Sequence, residues 1–255
     1  MSDISKRATL AAASVRELFA RHPRLTILLS SVTTFLGLSY PALARNYQAY
    51  KDLGRGALPS NVFGWAVACM LKPFEREGLS TEIYNKDLPE SWLGDPETFP
   101  FRHGPRAKLG WHFPPQRQVD QIPSDEMKQK IIQAFLQAAV DNIKRVEVAA
   151  SLAEKAHAAM FVRGPPPHAA AAQNKREIGH VHADVDYSMH LMLAPGDCKL
   201  VIEHGWGERH PLGGTQFVPA QLLLLYAPRD EEELAVVQRI TKASIGFMTN
   251  SREVV

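Results

Sequence analysis

The first long apolar run of the chain is LTILLSSVTTFLGLSYPALA, residues 25–44, with Arg24 before it, Arg45 after it and no charge between. As a helix of about 20 residues rising ~1.5 Å each, it just crosses a hydrocarbon layer of roughly 30 Å. Residues 25–45 are therefore expected to form a transmembrane or membrane-anchor helix. Ser30, Ser31, Thr33 and Thr34 dilute the run, and Gly37 and Pro41 weaken its helix, so a buried core helix or a cleaved signal stand as alternatives. Within residues 1–24, Leu10, Val15, Leu18 and Phe19 fall at helical spacing among Lys and Arg. That is the pattern of an amphipathic segment on a membrane surface or, alternatively, of a solvated cytosolic helix. Lys6, Arg7, Arg16, Arg21 and Arg24 precede the run, which would favour a cytoplasmic N-terminus, but Arg45, Lys51 and Arg55 follow it closely and leave the orientation open.

Residues 46–255 carry the mixed pattern of a folded domain. An apolar helix is expected over VFGWAVACMLKPF, ending near Pro73, with its aromatic side chains in the core. Residues 82–123, rich in Pro, Gly, Trp and Phe, read as loops with short strands, a place for a lid or pocket wall. Ser124 caps an amphipathic helix, DEMKQKIIQAFLQAAVDNI, whose Met127, Ile131, Phe135 and Leu136 share a face that packs on a sheet. A strand is expected over residues 156–162, and the three prolines of GPPPHAAAAQNKR make residues 164–176 a flexible loop.

In the last third, EIGHVH (177–182) and SMHLMLA (188–194) alternate as strands do, with 183–187 as the turn between them. Side chains repeat on one strand face every second residue, so His180 and His182 point the same way and His190 faces them across the pair. Pro195 suits a first helical turn and Gly205 a C-terminal cap, after which the chain delivers Trp206, Arg209 and His210. LLLLYAP is a further strand, and Asp230 caps a last helix rich in leading acids. The expected fold is α+β: a mainly antiparallel sheet packed against helices and preceded by the N-terminal hydrophobic anchor helix.

Composition narrows the function classes. With 45% apolar and 22% charged residues among 255, the chain buries a sizeable core. A net charge of +2 offers no field for gripping phosphates, so nucleic acid is not an expected partner. Two cysteines, Cys69 and Cys198, make neither a disulfide framework nor a Cys-rich metal site. Ser188 and Cys198 lack a nucleophile-elbow context, and no Gly-rich phosphate loop follows a strand. His22, His103, His112, His157, His168 and His204 have no comparable spacing and read as loop or solvent-facing residues.

NKREIGHVH, SMHLMLAP, HGWGERHPL and LYAPRDEEELAVVQRITKASIGFMTN, spread over residues 174–250, resemble the signature of the luciferase domain of fungal luciferases and their non-luminous relatives. PALARNYQAYKDLG and the segment 62–74 resemble those proteins too, and they likewise begin with an apolar anchor. The resemblance implies a luciferase-like catalytic domain over residues 46–255. It also implies an oxygenase, of luciferin monooxygenase or dioxygenase type, that adds molecular oxygen to a 3-hydroxy-α-pyrone (3-hydroxyhispidin). The endoperoxide then loses carbon dioxide to leave a caffeylpyruvate-type product and light. No dissociable cofactor is required in that family. The expected location is a membrane, with a single-pass anchor in an endomembrane.

The residues fit such chemistry in more than one way. An enol pyrone reacts with oxygen once deprotonated, and a neutral imidazole among His180, His182, His190 and His210 suits that proton. Arg176, Arg209, Tyr187 or a second imidazole are candidate donors to developing negative charge. Trp206 and Tyr226 are candidate flat walls for a planar substrate, or else core residues, and Glu177 is a candidate substrate contact. The alternative is a metal: His180, His182 and His190, with Glu177 or Asp184, would suit iron, copper or zinc in an oxygenase or hydrolase. A third reading is a membrane-tethered binding module whose imidazoles only orient a ligand.

Overall fold

The computed structural model describes residues 13, 14, 17, 19–85, 91–155 and 157–255. Most of the expected surface helix within residues 1–24 lies outside them, as does Ala156. Contacts divide the chain into two units, Met1–Ala49 and Tyr50–Val255.

Most of the first unit is one helix, α1 (Pro23–Asp52), which runs through Pro41. It is long and apolar enough to cross a membrane, and its apolar stretch is exposed, so it is not a core helix of this chain. A helix near the N-terminus with these properties fits an anchor or a signal sequence. Thr33 returns its hydroxyl to the carbonyl of Leu29 at 2.9 Å. Thr26 does the same to His22 at 3.1 Å, so these polar side chains are satisfied within the helix.

The second unit is an α+β fold, as the pattern predicts. Strands β1 (Val146–Ala150), β2 (Ala158–Val162), β3 (Glu177–Val181), β4 (Met189–Met192), β5 (Gly207–Arg209) and β6 (Leu222–Leu225) form one sheet. Its order is β1-β2-β3-β4-β6-β5, and every neighbouring pair is antiparallel. Helices α2 (Val62–Leu71), α3 (Asp125–Asp141), α4 (Ala169–Gln173), α5 (Pro195–Glu203) and α6 (Glu231–Thr249) surround it. The long helices α3 and α6 pack on each other, α6 on β2, β3 and β4, and α3 on β1. Met160, Met189, Leu191 and Leu223 of the sheet join Ile131, Phe135, Val237 and Ile240 in the main core.

Local chemistry sets the helix ends. Ser124 accepts the N–H of Met127 at 3.3 Å, and Asp230 that of Glu233 at 2.9 Å. Gly205, at φ +85°, follows the C-cap His204 of α5 and takes a conformation an L side chain resists.

Several expectations are corrected. Leu136 is 39% exposed, because the buried row of α3 continues by fours from Met127, Ile131 and Phe135 to Ala139. The segment 62–74 does not carry its aromatics into the core: Phe63 of α2 and Phe74 beyond its end are exposed, and within α2 only Gly64 and Ala68 are buried. The reason is close backbone approach, since a Cβ on Gly64 would meet the Pro59 carbonyl at 2.0 Å. Residues 164–176 are not simply a loop. The prolines end at Pro167, and His168 then caps the short α4 by accepting the N–H of Ala171 at 3.2 Å. Edge strand β1 and the short β5 are additions to the expected sheet.

Gly179 sits where β3 and β4 cross closest. A Cβ there would meet the His190 carbonyl at 2.2 Å and Leu191 Cδ2 at 2.5 Å. Gly179→Ala is expected to cost about 1–3 kcal/mol or more as an overpacked site, read as a lower urea midpoint for the full chain.

Candidate functional site

The face of the sheet turned away from α3 and α6 carries the histidines. In the β3–β4 register His180 pairs with His190, Gly179 with Leu191 and Val181 with Met189, so the apolar partners face the helices and the imidazoles the opposite side. Ring centroids are 5.4 Å apart for His180 and His190, 4.9 Å for His182 and His190, and 5.2 Å for His180 and His182. One nitrogen from each lies within 4.8 Å of the others, and all three residues are buried. His210 joins at 5.5 Å from His190.

Each of the three central imidazoles has its Nδ1 committed. His190 Nδ1 donates to the Leu223 carbonyl at 3.2 Å. His182 Nδ1 donates to Ser188 Oγ at 2.9 Å, while the Ser188 hydroxyl donates to Asp186 at 2.6 Å. His180 Nδ1 donates to Glu177 at 2.6 Å. That last contact depends on a β-bulge. Met160 pairs with Gly179 and Phe161 with Glu177, which leaves Ile178 unpaired and turns Glu177 to the histidine face, three residues from His180. With the Nδ1–H fixed in this way, Nε2 is the ring atom left to carry a lone pair when the imidazole is neutral. His210 is the reverse case, since its Nδ1 accepts the Leu212 N–H at 3.1 Å and its proton sits on Nε2.

The loop joining β1 to β2 folds over this cluster. Glu154 is buried, and its Oε2 lies 3.9 Å from His180 Nε2, 3.7 Å from His182 Nε2 and 3.5 Å from His157 Nε2. Buried Arg117 grips the same carboxylate through both terminal nitrogens, and its Nε lies 4.0 Å from Asp186. The Nε2 atoms of His157, His180 and His182 are buried with no hydrogen-bond partner.

Burial disfavours the charged form of His157, His182, His190 and His210. Burial pulls His182 well below the usual imidazole range, and Arg117 and the neighbouring histidines add to it. Burial does the same for His190, with His180 and His210 adding. Burial, then the charge of His180, lowers His210 to about 4. Asp186 is pushed up to about 6 by burial, against Arg117 and the hydrogen bonds from Ser188 and Gln118. Burial also works to raise Glu177, but the contacts with His180, Leu152 and Ser151 outweigh it and hold the carboxyl below its ordinary value.

The cluster forms one end of a cavity of about 290 Å³, near the lower end of the roughly 300–1,000 Å³ usual for small-molecule sites. His180, His190, His210 and Glu177 line that end, and Leu222 and Phe217 are among its apolar walls. Gln116, Asn174 and Lys175 supply polar groups.

Other candidates lie elsewhere. Arg176 bonds Glu147 and the carbonyls of Val162 and Gly164, outside the cluster. Arg209 pairs with Leu223, one residue out of phase with the histidine face, and bonds the Glu77 carbonyl. Tyr187 belongs to the main core, with Lys128 5.7 Å above its ring. Trp206 is a core residue too, its indole N–H donating to the Pro100 carbonyl at 2.7 Å. Tyr226 packs with Ala107 and Leu224 and bonds Glu208 at 3.1 Å, away from the cavity lining. Asp184 is exposed in the turn, and Asp186 is the carboxylate beside His182. Glu154, His157, Arg117 and Asp186 carry no local sequence signal. Among the histidines read as peripheral, His112 and His157 are buried, His168 caps a helix, and His204 stacks on Phe101 at 3.9 Å.

The family model described as "Luciferase domain" matches residues 175–244. A luciferase of Armillaria mellea is 37% identical over 231 residues, covering 84% of each chain. One of Armillaria ostoyae is 36% identical over 238 residues, covering 86% of each, and one of Neonothopanus nambi 35% over 228, covering 84% of each. No solved structure matches the chain.

Proposed function

The chain belongs to the luciferase family of fungi, and on that premise we propose that it is an oxygenase acting on a 3-hydroxy-α-pyrone of the hispidin type. The observation that supports the reading is the apolar-walled cavity ending on imidazoles whose Nδ1 atoms are tied back to the protein, among them His190, which burial keeps from protonating. The pyrone lies between Leu222 and Phe217 with its 3-hydroxyl toward His190. There its proton passes to an unprotonated nitrogen, and the enolate becomes electron-rich enough to combine with dioxygen. The peroxide closes across the ring, and carbon dioxide leaves as the endoperoxide opens to the caffeylpyruvate-type product, with light where the excited product emits. His210 Nε2–H is a donor for the negative oxygens. The helix α1 holds the enzyme at a membrane, where a sparingly soluble aromatic substrate collects.

The test is oxygen uptake, product mass and light when the detergent-solubilised full chain meets 3-hydroxyhispidin. Uptake matched to carbon dioxide release supports the reading. Binding without uptake makes the protein a ligand carrier. In the same assay Leu222→Trp is expected to raise KM on the order of 10-fold or more by filling the cavity, with a smaller effect on kcat.

A further inference from the structure

We propose that His180, His182, His190 and Glu154 together hold one divalent first-row transition-metal ion at the histidine end of the cavity. The assignment rests on four inward-facing donors. Three imidazoles are fixed by their Nδ1 hydrogen bonds to Glu177, Ser188 and Leu223, the arrangement that orients metal-ligating histidines. Glu154 Oε2 stands 3.9 and 3.7 Å from the Nε2 atoms of His180 and His182, and no hydrogen bond joins them. Lone pair facing lone pair in a buried space is repulsive, and a proton on one nitrogen relieves one contact only. A cation relieves them all. Donors bound about 2.0–2.1 Å from one ion sit roughly 2.8–3.4 Å apart at right to tetrahedral angles, so the imidazole nitrogens, within 4.8 Å of one another, would draw together with Glu154 on the ion.

Charge points the same way. Glu154, Glu177 and Asp186 are buried around the cluster, and among the described residues Arg117 is the buried guanidinium that reaches two of them, Glu154 and Asp186. Carboxylates therefore outnumber guanidinium groups around the cluster, an environment that favours a bound cation. A donor set of three imidazoles and a carboxylate suits iron, manganese, copper or zinc rather than calcium or magnesium. His190 opens onto the cavity, so free coordination positions face the substrate. The site itself does not depend on what the enzyme oxidises. Its role in catalysis rests on the oxygenase reading, where the adjacent hydroxyl and carbonyl oxygens of the pyrone are a bidentate ligand. Coordination of the enol oxygen, rather than a free imidazole, would then take its proton's place.

The full chain would be purified from media supplemented separately with iron, manganese, copper or zinc, and its metal content measured after gel filtration. About one ion per chain is expected from at least one medium. His182→Gln and Glu154→Gln should retain less than about a tenth of it with unchanged circular dichroism. Should either variant fail to fold, cobalt(II) added to the metal-free wild-type chain decides, since a nitrogen-rich site gives visible d–d bands at one equivalent. A wild-type chain that takes up no metal from any medium and gives no cobalt bands overturns the proposal. Full oxygen uptake by a verified metal-free chain overturns the ion's role and leaves the oxygenase reading in place. One bound ion without uptake keeps the site and removes that reading.

Discussion

Replacing His182 with glutamine is expected to slow oxygen uptake on 3-hydroxyhispidin by about 10- to 100-fold, the loss usual when a residue that orients or ligates the reacting groups is removed. His182 is 0% exposed, and its Nδ1 is anchored through Ser188 to Asp186. Glutamine is close in volume and its amide can still donate to Ser188, so the sheet should survive. What the substitution removes is the Nε2 lone pair aimed at Glu154 and the other imidazoles. Loss of that lone pair harms the reaction whether the cluster takes a proton or binds an ion. An oxygen electrode gives the rate, and thermal unfolding of the same sample shows that the fold persists. A variant within about threefold of wild type would place the chemistry outside this cluster.

The histidine trio is legible in the sequence because strand parity is a local property. His-x-His fixes two rings on one face, and a short turn fixes His190 opposite them. The same parity argument, carried one strand further, separates Arg209 from the site, since it pairs with Leu223 while Leu224 faces His190. Tyr187 and Trp206 are apolar enough to be claimed by the main core. Neither has a charge or spacing that would announce it. The remaining parts are long-range. Arg117 reaches Glu154 across 37 positions and Gln118 reaches Asp186 across 68, contacts that exist only once the sheet has formed. The bulge that turns Glu177 inward is invisible in EIGHV, because nothing in that pattern says that Ile178 will be skipped. His157 looks peripheral for a similar reason: its position is set by a hairpin loop, in which its N–H returns to the Glu154 carbonyl at 2.9 Å.

Arg117→Met is expected to destabilise the fold by about 3–5 kcal/mol, the range for removing one partner of a buried ion pair. Arg117 is 1% exposed and donates to Glu154, to the Gln116 carbonyl at 2.9 Å and to the Arg55 carbonyl at 2.7 Å. Methionine fills much of the same space but leaves the Glu154 carboxylate buried without its counter-charge. For a unit of this size each kcal/mol moves Tm by roughly 2–4 °C, so a fall of about 6–20 °C should be seen by calorimetry. Adding Glu154→Gln removes the stranded charge, and the double variant should regain part of the loss, with the coupling read from the cycle. The same cycle bears on the ion. A dication on Glu154 would supply positive charge in place of the missing guanidinium, so Arg117→Met should cost less in metal-loaded than in metal-free protein. Equal costs in the two states would mean that Glu154 answers to Arg117 alone.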